Sequence, residues 1–195
     1  MKDLFRNPVF ALVALVILAV LGTALYRINQ PPGLPELLKG PERVTTTAGE
    51  IPLKDLFGPV TVVFFGFTNC PDVCPTTLSV VSRAYKQLPD EQQANLRVLF
   101  VTLDPERDTL EAMKPYVDFF GDRVQGVVLP PEHLSRWVKT FRIFYEKVDL
   151  PDSEMGYTIN HTAAFFIVRD GQWPASVMTS HDVPAVTQAL ARAFE

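Results

Sequence analysis

The chain's two cysteines lie four positions apart in TNCPDVCP, residues 68–75. Sulfur atoms at this spacing can close a disulfide, exchange one with another protein's thiols, or bind a soft metal ion as paired thiolates. A disulfide across so short a loop removes little chain entropy. With 195 residues, 47% of them hydrophobic, the chain can build a core without a staple. A purely structural disulfide therefore explains little. Redox pairs of the C-x-x-C type have two intervening residues; the three between Cys70 and Cys74 still permit a disulfide and leave room for both sulfurs on one ion. Two sulfurs alone do not complete a metal site. The candidate third ligand is His161, in GYTINHTAAFFIV, just before a strongly apolar run. Two thiolates and an imidazole would suit Cu(I), or Cu(II) with a further ligand. A loop histidine satisfied by hydrogen bonds is the competing reading of that residue.

These three residues need elements to bring them together. VTVVFFGF, residues 60–67, reads as a strand buried on both faces, and it runs directly into the cysteine stretch. Residues 76–88 repeat Leu78, Val81, Ala84, Tyr85 and Leu88 at helical spacing. The cysteines therefore sit where a strand hands over to a helix, with Pro75 tolerated in a first turn. The unpaired N–H groups and partial positive charge of a helix N-terminus favour a thiolate there. A second central strand is expected over 96–103, helices over 109–120 and 131–141, and short strands over 124–129 and 145–148. A clear strand over 162–169, a turn at Asp170-Gly171, a partner strand near 175–179 and a helix over 183–194 complete the pattern. Such alternation argues for a central sheet with helices on both faces. The loop before residues 162–169 would then carry His161 to the helix N-terminus.

The N-terminal part has a different character. Residues 9–26, VFALVALVILAVLGTALY, carry no charge and follow Lys2 and Arg6. That length suits a membrane span, and the basic flank favours a cytoplasmic N-terminus. A cleaved signal peptide is the alternative, but its apolar region is usually shorter, roughly 7–15 residues. Residues 28–44, rich in Pro and Gly, read as a semi-rigid tether. The expected organisation is an anchor over 1–27, the tether, and a folded domain over 45–195. Export would place the two cysteines where free thiols tend to be oxidised. The formal net charge of −4, with no basic block, gives no sign of nucleic-acid binding.

Three stretches, FFGFTNCPDVCPTTL, LFVTLDPERDTLEAMKPYV and YTINHTAAFFIV, resemble in order the signature blocks of the Sco/SenC family. These are membrane-tethered, thioredoxin-fold proteins that bind copper and help assemble cytochrome c oxidase. The resemblance covers roughly residues 45–170. It implies a thioredoxin-like α/β fold, a central mixed sheet flanked by helices behind a transmembrane helix. It also implies copper ligation by Cys70, Cys74 and His161. The implied role is a metallochaperone of the inner membrane, its domain on the periplasmic side, delivering copper to the dinuclear centre in the copper-bearing subunit of cytochrome c oxidase. Other copper chaperones and a thiol reductant are implied as further partners. The alternative is a thiol–disulfide oxidoreductase, using Cys70 and Cys74 alone to keep that subunit's cysteines reduced. A thiol peroxidase on the same fold is weaker, because the pattern around a peroxidatic thiol is absent.

One residue departs from the resembled pattern: Asn160 stands where aspartate is usual, which keeps an oxygen acceptor and loses the charge. Asp72, between the cysteines, would attract a cation. In DPERD, residues 104–108, Arg107 is expected to pair with a carboxylate and Asp108 or Thr109 to cap the next helix. His133 and His181 are expected on the surface. Phe64, Phe65 and Phe67 are expected in the core, and Met113, Met155 and Met178 are too scattered for a methionine-rich copper tract.

Overall fold

The computed structural model describes residues 8–28, 43–170 and 176–195. The chain divides into two compact units, with the boundary between Pro32 and Gly33. The first holds helix α1, Pro8–Ile28. Its side chains are described over residues 12–24 and are exposed throughout. That stretch covers only about 20 Å at 1.5 Å per residue, and among the described residues no helix is long and apolar enough to cross a membrane. The expected tether lies almost wholly outside the described residues. Its last two residues, Arg43 and Val44, belong instead to the sheet.

The second unit is built on a seven-stranded mixed sheet. Its strands are β1 (Arg43–Thr46), β2 (Gly49–Pro52), β3 (Val60–Gly66), β4 (Leu96–Thr102), β5 (Val124–Val127), β8 (Phe165–Arg169) and β9 (Ser176–Met178). A separate ribbon pairs β6 (Tyr145–Leu150) with β7 (Gly156–His161). The helices are α2 (Val73–Tyr85), α3 (Asp90–Ala94), α4 (Leu110–Asp118), α5 (Pro131–Thr140) and α6 (Val183–Arg192). Sheet order is β2-β1-β5-β4-β3-β8-β9. The β5-β4-β3 pairs are parallel, while β1, β8 and β9 pair antiparallel. Every residue of β3 is buried, as its unbroken apolar sequence requires of a strand at the middle of the sheet.

Successive side chains of β3 point to opposite faces, and each face meets its own layer. Phe64 packs on Phe100, which packs on Tyr116 of α4; Phe65 packs on Phe141 at the end of α5, which also touches Phe166. Helices therefore cover both faces, as the alternation of elements implied. The face of Phe64 is the one that receives the cysteines.

Several boundaries differ from the sequence expectation. Helix α2 begins at Val73 rather than Thr76, so Cys74 lies inside its first turn. The β1–β2 hairpin and α3 were not expected; both are short and largely polar. The strand expected over 162–169 begins only at Phe165. Thr162 is tied instead to the start of the ribbon: its N–H donates to the Phe144 carbonyl at 2.9 Å, and its Oγ1 accepts from Phe144 N–H at 3.0 Å. Gly171 and Ala175, in the expected turn and partner strand, lie outside the described residues. His133 is buried rather than exposed, with Nε2 at 3.3 Å from Glu132 Oε1, because it follows the apolar face of α5. His181 is exposed as expected.

Candidate metal centre

The sulfurs are held by a loop that the fold leaves little freedom. Strand β3 ends at Gly66, where a Cβ would lie 2.7 Å from both Cys74 Sγ and Phe100 Cε2. Only glycine lets the Cys74 sulfur sit against the strand end. After Phe67, the Cys70 N–H donates to the Phe67 carbonyl at 3.2 Å. Asp72 is the N-cap of α2, yet its side chain makes no capping bond. The third helical position is Pro75, which has no N–H, and the N–H of Cys74 donates to Cys70 Sγ at 3.4 Å. The sulfur of Cys70 thus takes the place of a capping oxygen, so the first sulfur is fixed by the helix that carries the second.

The loop is also gripped from β4. Asp108 is fully buried, and it accepts three hydrogen bonds: Thr68 N–H at 3.0 Å, Thr68 Oγ1 at 2.5 Å and Thr102 Oγ1 at 2.6 Å. It does not cap α4; Thr109 does, accepting from Ala112 N–H at 3.2 Å. Arg107 pairs with Asp104 at 2.5 Å, as expected.

Both cysteines are free thiols, Cys70 half-buried and Cys74 buried. The Cys74 thiol beside it, and then the backbone N–H groups of Asp72 and Cys74, hold Cys70 down to about 3 against the opposing effect of burial. Cys74 is pushed strongly upward by the Cys70 sulfur and by burial. The two sulfurs are therefore pushed apart, the more exposed Cys70 towards thiolate and the buried Cys74 towards thiol. Tyr116 is kept protonated by burial and by the charge of the cysteine pair, and its buried hydroxyl has no hydrogen-bond partner among the described residues.

His161 arrives on the last residue of β7, not on a free loop as expected. Its ring packs edge-on to Phe67, 6.0 Å between centroids, and 6.2 Å from Phe64. Nδ1 lies 3.0 Å from the Thr162 carbonyl and Nε2 3.5 Å from Cys74 Sγ. A carbonyl can only accept, so the proton is assigned to Nδ1. Nε2 then presents its lone pair to the sulfurs, the orientation metal-binding histidines adopt. The three donor atoms lie within 4.8 Å of one another. With metal–sulfur and metal–nitrogen bonds of about 2.3 and 2.0 Å, three donors in a trigonal plane sit roughly 3.5–4 Å apart. The donor set fits a soft ion after a small contraction.

Asn160 points the other way. It is exposed on the opposite face of β7 and pairs across the ribbon with Glu146. An aspartate there would oppose a like charge. Asp72 is exposed at the loop rim, where its Oδ1 lies 3.4 Å from Thr76 Oγ1. The strand expected over 145–148 is the start of β6; what the sequence did not reveal is its partner β7 and their pairing, because the outer face of the ribbon is polar and exposed.

This sheet order, with a dithiol at the junction of a buried strand and a helix, defines a thioredoxin-like α/β protein with a sulfur–imidazole centre. Residues 35–195 match the family model SCO1/SenC, and the chain belongs to that family. It is similar to the mitochondrial Protein SCO1 homolog of Homo sapiens, 33% identical over 140 residues, 70% of this chain and 46% of that protein. It is also similar to the structure of Bradyrhizobium japonicum ScoI with copper bound: TM-score 0.68, 31% identity, 79% of this chain and 98% of that one. Arabidopsis thaliana ScoI with copper bound matches at TM-score 0.68 and 25% identity, over 79% and 96% of the two chains. The chain spans about half the length of the curated relatives it matches.

Proposed function

We propose that this protein is a copper metallochaperone, with Cys70, Cys74 and His161 holding one copper ion as cargo. The observation that carries the reading is His161: its Nδ1 is engaged by a backbone carbonyl and its Nε2 faces two converging sulfurs. Relatives with the same fold have been solved with copper bound. Loading displaces the proton of Cys74, so affinity rises with pH. Release proceeds by ligand exchange, the recipient's ligands replacing these one at a time. The recipient in this reading is the dinuclear copper centre of the copper-bearing subunit of cytochrome c oxidase. In this reading the apolar run of residues 9–26 anchors the chain in the inner membrane and residues 45–195 work on the periplasmic side. Support for the anchor is the uncharged run of residues 9–26 and the exposure of Leu12, Leu15 and Leu18 at 65–68%. The deciding experiment is Cu(I) competition titration of the reduced full-length chain in detergent. One tight equivalent is expected for the wild type and weaker binding for His161→Ala; equal affinity removes the histidine from the site.

A second reading rests on the asymmetry of the two thiols. The Cys70 thiolate attacks a partner's disulfide to form a mixed disulfide and expel one partner thiolate. Cys74 then loses its proton and attacks Cys70 Sγ, leaving a Cys70–Cys74 disulfide and a fully reduced partner, and a thiol reductant resets the pair. This chemistry needs no imidazole. A disulfide-reduction assay that survives His161→Ala and fails in Cys70→Ser identifies it.

A further inference from the structure

Strand β7 presents Tyr157, Ile159 and His161 to one face, because side chains alternate. Ile159 is buried in the core and His161 reaches the sulfurs. Tyr157, about 14 Å along the strand at 3.4 Å per residue, enters a clasp of its own. Its hydroxyl donates to Asp104 Oδ1 at 2.7 Å. Its ring lies between two cations, with Arg107 Cζ 3.6 Å and Lys147 Nζ 3.8 Å from the centroid. Arg107 Nε donates to the other Asp104 oxygen, and Nη1 donates to the carbonyls of Met155 and Tyr157 at 3.0 and 3.1 Å. Lys147 reaches Glu106 at 3.0 Å.

All of these partners but Lys147 and the two carbonyls come from one short connection, residues 104–107, between β4 and α4. The same connection ends in Asp108, which holds the cysteine loop through Thr68. A single segment therefore grips both halves of the site, one at each end. Among the described residues the ribbon shares no strand pairing with the main sheet, and the clasp ties it to the body through side chains.

We propose that Tyr157 is a positioning residue for metal binding: clasped by Asp104, Arg107 and Lys147, it sets the ribbon so that His161 Nε2 stays within bonding reach of Cys70 and Cys74. This rests on the copper-carrier reading. A cation stacked on each face of an aromatic ring, and a hydroxyl donated to a buried carboxylate, are strong holds for one side chain. Neither contact touches the site, so the effect on metal passes only through the placement of the strand.

The test uses the reduced full-length chain with Tyr157→Ala, Tyr157→Phe, His161→Ala and the double variant Tyr157→Ala/His161→Ala. Each is read by Cu(I) competition and, after loading with Cu(II), by nitrogen hyperfine coupling in the EPR spectrum. Amide exchange of β6 and β7 is followed in the metal-free protein. Tyr157→Ala should lose about 10–100-fold in affinity, the scale of supporting residues around metal ligands. It should also lose the imidazole nitrogen signal and exchange its ribbon amides faster. Tyr157→Phe keeps the ring between its cations and should recover most of both signals. The double variant should bind no more weakly than His161→Ala alone, since both lose the same ligand. Wild-type affinity and a retained nitrogen signal in Tyr157→Ala would overturn the proposal, as would a double variant clearly weaker than His161→Ala. If the wild type itself shows no nitrogen coupling, the ligand set of the copper-carrier reading fails first, and this inference falls with it.

Discussion

The two halves of the candidate metal centre are built in opposite ways. The cysteine loop is enclosed: it leaves a fully buried strand, presses one sulfur against Gly66, uses the other as a helix cap, and hangs from the buried carboxylate of Asp108. The histidine stands at the end of a two-stranded ribbon that is tied to the body through Ile159 and the contacts of Tyr157 and Lys147 with residues 104–107. The two sulfurs are thus set by the core, and the imidazole by a ribbon that pairs only with itself among the described residues.

The contrast can be broken most forcefully on the loop side. Asp108→Ala strands the hydroxyls of Thr68 and Thr102 and the Thr68 N–H; it should cost about 3 kcal/mol and lower Tm by roughly 6–12 °C, measured by calorimetry. Gly66→Ala should cost about 1–3 kcal/mol by overpacking, and copper affinity should fall with it because the Cys74 sulfur must move. An unchanged Tm and affinity would show that the strand end is not closed as described. On the ribbon side, His161→Ala should weaken Cu(I) binding while leaving Tm and the count of reactive thiols as in the wild type.

The thiolate of Cys70 gives a pH test. In the metal-free reduced protein Cys70 is held near 3, so its alkylation by iodoacetamide should be nearly constant from pH 5 to 8. In urea the rate should climb about tenfold per pH unit towards the ordinary thiol value of about 8.5. A depressed folded value stabilises the fold above the unfolded value, and this contribution fades as pH falls towards 3. The smallest effect is expected from Asn160→Asp. Placed opposite Glu146, it should cost a few tenths to about 1 kcal/mol of ribbon stability, seen as faster amide exchange in β6 and β7.

The same contrast explains what the sequence could disclose. Strands β3 and β4 and helices α2, α4, α5 and α6 announce themselves through apolar periodicity, because burial against a core is what their residues were shaped by. The two cysteines could be placed at a strand–helix junction for the same reason. Of the ribbon only a strand over 145–148 could be read; its pairing with β7 could not, since Glu146, Lys147 and Asp149 face solvent and pairing between such strands leaves no periodic trace. Asp108 looked like a cap because an acid before a helix usually is one; Thr102, a hydroxyl closing an otherwise apolar strand, was the available hint that a buried acceptor lay nearby. Arg107 and Tyr157 are 50 positions apart, and nothing local links them.

The alternation along β7 carries a further consequence for how this chain can vary. Tyr157 and His161 are four positions apart and in phase, so adding or deleting one residue between them would turn the imidazole to solvent while the tyrosine stayed clasped. A change of two would restore the facing but carry the ring about 7 Å along the strand, beyond the sulfurs. The interval between these two residues is therefore a length standard, and the chain can alter it only by giving up the third ligand.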